Sequence, residues 1–217
     1  MKILDFFLDL LFPPKCIFCG EVLESTNICN KCLEKLPYTK GDSTVQKLPF
    51  ISKCVSPLYY DGVVRDAILR FKFNGKSNYA GAFAQIMSKC IENNLDCGDI
   101  SVVSWVPLSR MRMRKRGYNQ AQLLAEAVAK RLELPSAPCL VKIKNNTAQS
   151  KTTSAEQRRR NVAGAYKVCD PEFVKDKNIL LIDDVVTTGS TLSECSRMLQ
   201  LSGANKVYSA SIARHKD

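Results

Sequence analysis

The stretch Ile179-Leu180-Leu181-Ile182-Asp183-Asp184-Val185-Val186-Thr187-Thr188-Gly189-Ser190-Thr191 decides how the rest of this chain is read. Its four leading apolar residues predict a strand buried on both faces. That strand delivers two adjacent carboxylates, Asp183 and Asp184, to its carboxyl end. A loop of hydroxyls with one glycine follows, then a helix beginning near Ser190. In such a unit the strand end and the helix start face one crevice, where backbone N–H groups and the helix dipole attract an anion. Gly189 lets the backbone come close to it, and Thr187, Thr188, Ser190 and Thr191 can add hydroxyl donors. The aspartates, acceptors only, suit vicinal ribose hydroxyls beside that anion. A sugar 5-phosphate fits both halves. The alternative, an ordinary βα turn with a threonine cap, would not require so long a pattern.

Two acidic residues followed by Val-Val-Thr-Thr-Gly-Ser-Thr after an apolar strand resemble the phosphoribosyl-pyrophosphate (PRPP) motif of type I phosphoribosyltransferases. The resemblance implies that Asp183 and Asp184 hold the ribose 2- and 3-hydroxyls and that residues Val185 to Thr191 hold the 5-phosphate. It also implies Mg2+ accompanying PRPP, bridging pyrophosphate and ribose oxygens to stabilise the leaving group. The strand end Trp105-Val106-Pro107-Leu108-Ser109 looks like the pyrophosphate loop of that fold, with Arg110 close by. The run Asn145 to Arg160 resembles a hood loop over the reacting centre. Apart from Ala148 and Ala155 it is wholly polar or charged, which suits a lid. The acceptor substrate is not written in the sequence. Nor is a catalytic base: His215, the sole histidine, lies near the carboxyl end, where it reads as a solvent residue.

Near the amino end, Cys16-Ile-Phe-Cys19 and Cys29-Asn-Lys-Cys32 form two C-x2-C knuckles nine residues apart. Two residues between thiolates let both sulfurs reach one tetrahedral ion, and two such turns complete a four-cysteine zinc site. A disulfide pair or a redox Cys-x-x-Cys would be the alternatives. No βαβ pattern surrounds these cysteines, and the spacing pairs up neatly, which favours structural Zn2+ with no open coordination position. Cys54, Cys90, Cys97, Cys139, Cys169 and Cys195 have no knuckle spacing and read mostly as small buried hydrophobes in a reducing compartment.

Taken together, the knuckle pair, Leu11-Phe12-Pro13-Pro14 before Cys16, Lys115-Arg116-Gly117-Tyr118-Asn119-Gln120-Ala121, Thr147-x-Gln149 and Arg159-Arg160-Asn161-Val162 resemble the ComF family of bacteria. Its members are associated with DNA uptake in natural competence. The resemblance implies an α/β fold, a type I phosphoribosyltransferase-like, mostly parallel sheet flanked by helices, with a small N-terminal zinc-binding domain. It further implies PRPP as ligand, single-stranded DNA as a partner, and a helicase-like competence protein as another.

Length and composition agree. A chain of 217 residues with 45% hydrophobic residues can bury one sizeable α/β core and a small appendage. We place the amphipathic helix, knuckles and linker in residues 1–50 and the phosphoribosyltransferase-like domain in 51–217. In Met1 to Phe12, Asp5 and Asp9 share one face and Ile3, Phe6, Phe7, Leu10 and Leu11 the other. This pattern predicts an amphipathic helix ended by Pro13-Pro14 rather than a signal peptide. No apolar run approaches the roughly 20 residues of a membrane span, so the expected address is cytoplasmic. Beyond the knuckles, Thr39 to Lys47 reads as a linker, Cys54 to Tyr60 as a strand, and Val63 to Phe71 and Lys76 to Cys90 as helices. Ile100 to Val106, Cys139 to Ile143, Tyr166 to Val168 and Lys206 to Ile212 read as strands, with Tyr118 to Leu132 a helix between.

The net charge of +11 is concentrated: from Arg110 to Arg160 thirteen Lys/Arg face three Glu. Two clusters dominate, Arg110, Arg112, Arg114, Lys115 and Arg116, and Arg158, Arg159 and Arg160. A solvated basic face is one explanation, and a pocket for the anionic PRPP is another. A third is a track for single-stranded nucleic acid, with Tyr118 as a stacking ring. The excess exceeds what a small-molecule pocket needs, which favours a pocket opening onto a track. Three functions stay open: a phosphoribosyltransferase with unnamed acceptor, a non-catalytic single-stranded DNA-binding module, and a PRPP-sensing regulator.

Overall fold

The computed structural model describes residues 13–144 and 162–216. The expected amino-terminal helix, the hood loop, and Arg158, Arg159 and Arg160 lie outside the described residues. After a short knuckle helix α1 (Asn30–Lys35) come β1 (Val45–Gln46), β2 (Lys53–Val55), β3 (Leu58–Tyr59), α2 (Gly62–Phe73) and α3 (Tyr79–Asn94). They are followed by β4 (Val102–Trp105), α4 (Arg110–Arg116) and α5 (Gln120–Arg131). The chain continues through β5 (Leu140–Lys142), β6 (Tyr166–Val168), α6 (Pro171–Val174), β7 (Asn178–Val186), α7 (Ser190–Leu201) and β8 (Lys206–Arg214).

The main sheet runs β1-β2-β8-β7-β4, with β3 also pairing β8. Every pairing is parallel except β1 with β2. Its centre is β7, bound to β4 through Val102↔Ile179 to Trp105↔Ile182 and to β8 through Asn178↔Lys206 to Val186↔Arg214. Successive strand side chains point to opposite faces, and both faces of β7 are covered. Leu180 and Ile182 pack with α2, α3 and α5, whereas Ile179 and Leu181 pack with α7, β6 and Val174. This is why the run Ile179 to Ile182 is continuously apolar rather than alternating. β5 and β6 form a separate antiparallel hairpin whose ends lead to residues 145–161.

Several boundaries differ from the sequence expectation. Cys54 to Tyr60 is two strands and not one, because Ser56-Pro57 interrupts the ladder. The polar stretch Thr39 to Lys47 is no open linker: it carries a 3-10 turn and edge strand β1, and Thr39 Oγ1 donates to the Ser56 carbonyl at 2.7 Å. Periodicity ends the first helix at Phe71, but α2 continues to Phe73 and so carries Lys72. β7 extends to Val186, leaving Asp183 and Asp184 inside the strand.

The knuckles pack onto the same core as the helices. Ile17, Phe18, Ile28 and Leu36 are buried with Phe71 and Phe83. Phe18 meets the Phe83 ring edge-on at 6.1 Å, and Arg70 of α2 donates from Nη2 to the Ile17 carbonyl at 2.7 Å.

Candidate active site and metal centre

The carboxylates sit where β7 leaves the core. Asp183 and Asp184 are both half-buried, and Asp183 accepts the N–H of Asp184 at 2.8 Å. Asp184 is ion-paired with Lys72 Nζ at 2.8 Å, with both side chains less than a fifth exposed. Burial and the neighbouring Asp184 charge push the Asp183 carboxyl up to about 7, against the pull of the Asp184 N–H, Lys72 and Lys142. Lys142 of β5 approaches the acid pair from the hairpin. It donates to the Tyr166 hydroxyl at 3.2 Å, and burial lowers its own pKa.

The loop beyond turns sharply into α7. Gly189 caps α7 in the left-handed region (φ 69°), and no side chain caps the helix start. Thr188 and Ser190 pair through their hydroxyls at 2.8 Å, while Thr187 and Thr188 are exposed. The first amides of α7 are therefore not taken up by a capping side chain, and the dipole adds to their pull on an anion. A β-carbon at Gly189 would stand 2.5 Å from Leu48 Cδ2, so the segment before β2 packs against this turn. A cleft of about 830 Å³ flanks the outer side of Thr187 and Thr188, walled by Gln46, Lys47, Leu48, Tyr59 and Arg214.

Residues 107–109 lie beside the carboxylates, since Val106 N–H donates to the Ile182 carbonyl at 3.0 Å. Pro107 and Leu108 are half-buried. Ser109 is buried and caps α4, accepting the Arg112 N–H at 3.4 Å, so Arg110 starts a helix and is exposed. The Arg-Gly-Tyr-Asn-Gln motif ties this loop down. Gly117 ends α4 in the left-handed region, Asn119 caps α5 and donates to the Val106 carbonyl at 3.1 Å, and Gln120 Nε2 donates to the Lys72 carbonyl at 3.5 Å.

The basic run is thus not one surface. Arg114 and Lys115 are exposed on α4, with Met111 and Met113. Arg112 is half-buried and lies within electrostatic reach of Lys142. Arg116 turns inward: its Nη1 donates to Gln120 Oε1 at 2.7 Å, its guanidinium covers the Phe73 ring at 4.9 Å, and it feels both aspartates. Tyr118, expected as a stacking ring, is half-buried, donates its hydroxyl to the Phe71 carbonyl and packs on the Phe71 ring. His215 is exposed, stacked on Tyr60 at 5.0 Å and away from the acid pair's contacts.

The four knuckle cysteines converge. Their sulfurs all lie within 4.8 Å of one another, and Cys19 and Cys29 stand 3.7 Å apart. Tetrahedral zinc with Zn–S near 2.3 Å needs sulfurs about 3.8 Å apart, so the set fits. Burial raises the Cys16 thiol, but the N–H groups of Cys19, Cys29 and Phe18 outweigh it and hold it near 6, the turn chemistry a bound thiolate needs. All ten cysteines are free thiols, and of the other six only Cys97 and Cys169 are not buried.

Lys72, Lys142 and Leu48 were absent from the sequence reading of the site, because each arrives from an element with no motif of its own. Comparison with known proteins gives the following. Residues 119–217 match the phosphoribosyl transferase domain and residues 7–43 the double zinc ribbon domain. Competence protein F of Haemophilus influenzae is 30% identical over 93% of this chain and 85% of its own length. Competence protein ComFC of Bacillus subtilis is 34% identical over 85% of this chain and 70% of its own. DNA utilization protein YhgH of Escherichia coli is 29% identical over 88% and 80%. Among the described residues no helix is long and apolar enough to cross a membrane.

Proposed function

We infer that this chain, which belongs to the ComF family, binds PRPP at the carboxyl end of β7 and serves as a phosphoribosyltransferase in the handling of incoming single-stranded DNA. The observation that carries this reading is the pairing of Asp183 and Asp184 with the side-chain-free start of α7. The carboxylates accept from the ribose 2- and 3-hydroxyls, and Val185 to Thr191 surround the 5-phosphate. Pro107, Leu108 and Ser109, at the neighbouring strand end, face the pyrophosphate. Magnesium bound with PRPP would neutralise the leaving pyrophosphate, and the oxygen-rich acid pair suits such a hard cation. A cytoplasmic address goes with this substrate.

The DNA half rests on two supports. Relatives carry competence and DNA utilization in their names. Arg110, Arg114 and Lys115 stand exposed on α4, directly after the loop that borders the acid pair. Measuring pyrophosphate release from PRPP, with and without single-stranded DNA, tests both halves at once. Release stimulated by DNA supports the transferase. PRPP binding without release favours the non-catalytic module or the PRPP sensor, and absence of PRPP binding overturns the reading.

A further inference from the structure

We propose that Lys72 is a PRPP-binding residue of this site, delivered from α2 with Asp184 as its anchor and aimed at the pyrophosphate. The inference rests on the PRPP reading above and adds a ligand contact from outside residues 119–217. PRPP is a linear assembly of 5-phosphate, ribose and pyrophosphate. With the 5-phosphate at the start of α7 and the ribose on the carboxylates, the pyrophosphate extends to the side away from α7. Lys72 comes from that side. Its backbone carbonyl accepts from Gln120, its neighbour Phe73 lies under Arg116, and both partners follow the loop at the end of β4.

Burial sharpens the point. Lys72 and Asp184 meet at 2.8 Å with 17% and 16% of their side chains exposed. A lysine held this far from water needs a partner for its charge, and Asp184 supplies one. One carboxylate uses one of three donor positions. The remaining N–H groups are free to turn to phosphate oxygens at the same point of the site while the Asp184 contact persists. Arg70, two residues earlier, is fixed on the Ile17 carbonyl of the knuckle, so the last turn of α2 is held at both ends. That turn presents Lys72 without an ordering cost on binding.

The test compares Lys72→Gln with the unaltered chain, using PRPP and ribose 5-phosphate as separate calorimetric ligands with Mg2+ present. The expected result is a PRPP affinity lower by roughly ten- to a hundredfold and a ribose 5-phosphate affinity unchanged. Equal loss for both ligands would show that Lys72 acts only by holding Asp184 in place, and would overturn the proposal, as would unchanged PRPP affinity. Lys72→Arg covers the case in which Gln unfolds the protein. It keeps the charge and should lose PRPP affinity only severalfold, again with ribose 5-phosphate unaffected; any parallel change in both ligands counts against the proposal. If the unaltered chain binds no PRPP, the site reading fails before Lys72 is in question.

Discussion

The zinc knuckles and the carboxylate loop treat their polar groups in opposite ways. At the knuckles the polar groups turn on one another: four sulfurs lie within 4.8 Å, the N–H groups of Cys19, Cys29 and Phe18 point at Cys16, and Ile17, Phe18 and Ile28 seal the turns into the core. At the end of β7 the groups are held ready. Asp184 is ion-paired with Lys72 and Asp183 has no ion pair of its own among the described residues, Thr187 and Thr188 face solvent, and α7 starts without a capping side chain. A closed thiol cluster suits a scaffold, whereas uncapped amides beside exposed hydroxyls suit the ligand proposed above. The last turn of α2 joins the two: Arg70 grips the knuckle, Phe71 fills the core between Phe83 and Tyr118, and Lys72 holds Asp184.

The largest effect should come from breaking the thiol cluster. Structural zinc contributes on the order of 10 kcal/mol to small domains of this kind. Cys16→Ser with Cys29→Ser should take zinc from near one per chain to near zero by elemental analysis. It should also raise amide exchange across the knuckles and the last turn of α2, because Ile17 and Phe18 belong to the main core. Retained zinc in the double variant would sink the assignment.

Next is the carboxylate loop. Asp183→Asn with Asp184→Asn removes two charge-assisted acceptors, each worth roughly 1.5–3 kcal/mol, and should weaken PRPP binding about a hundredfold or more. Circular dichroism should report an intact fold. Unchanged calorimetric affinity would falsify the site. The acid pair also sets a pH dependence. Burial and the Asp184 charge push the Asp183 carboxyl up from its ordinary 3.8 to about 7, so between those values the folded state binds more protons than the unfolded one. Stability therefore falls as pH rises from about 4 to about 7 and levels off above that. PRPP with Mg2+, which needs the ionised pair, should gain affinity over the same window. Thermal unfolding against pH checks the first trend, and Asp183→Asn should remove it.

Much of this comparison was legible in the sequence, and the reason is locality. The knuckles and the strand-carboxylate-loop unit each place their chemistry in contiguous residues, where spacing alone fixes the geometry. What stayed hidden arrives from elsewhere. Lys72 looks like one more exposed cation at a helix end until α5 and β7 bury it. Leu48 follows the polar stretch Thr39 to Lys47 in a short run without a motif, and reveals itself only against Gly189. Tyr118, between cations, reads as a stacking ring, yet its hydroxyl answers the Phe71 carbonyl at the neighbouring helix end. Arg116 belongs to a basic run by sequence and to the acid pair by position.

Gly189 offers a smaller and more local break. Gly189→Ala forces a side chain into the left-handed region, costing roughly 1–2 kcal/mol, and presses its methyl on Leu48. The melting temperature should fall by a few degrees, with PRPP affinity reduced because the turn must shift. Adding Leu48→Ala should relieve the contact and leave only the backbone strain. A double variant no better than Gly189→Ala alone would mean that Leu48 does not limit the turn.

The smallest effect tests the basic face, and the structure narrows which residues to change. Arg112 is half-buried near Lys142, and Arg116 feels both aspartates, so altering either would disturb the proposed PRPP site together with any DNA contact. Arg114 and Lys115 are exposed on α4 and suit the test. If single-stranded DNA runs along this helix, each phosphate contact contributes about −0.7 to the slope of log affinity against log salt. Arg114→Gln with Lys115→Gln should then flatten the slope by about 1.4, lower affinity severalfold for all sequences alike, and leave PRPP affinity unchanged. Tyr118→Phe serves as the control. It deletes the hydroxyl bond to Phe71 but keeps the ring, so it should cost about 1 kcal/mol of stability and leave the salt slope as it was. A slope untouched by the double change would remove α4 from the nucleic-acid path. The proposed PRPP reading would then stand without its nucleic-acid half.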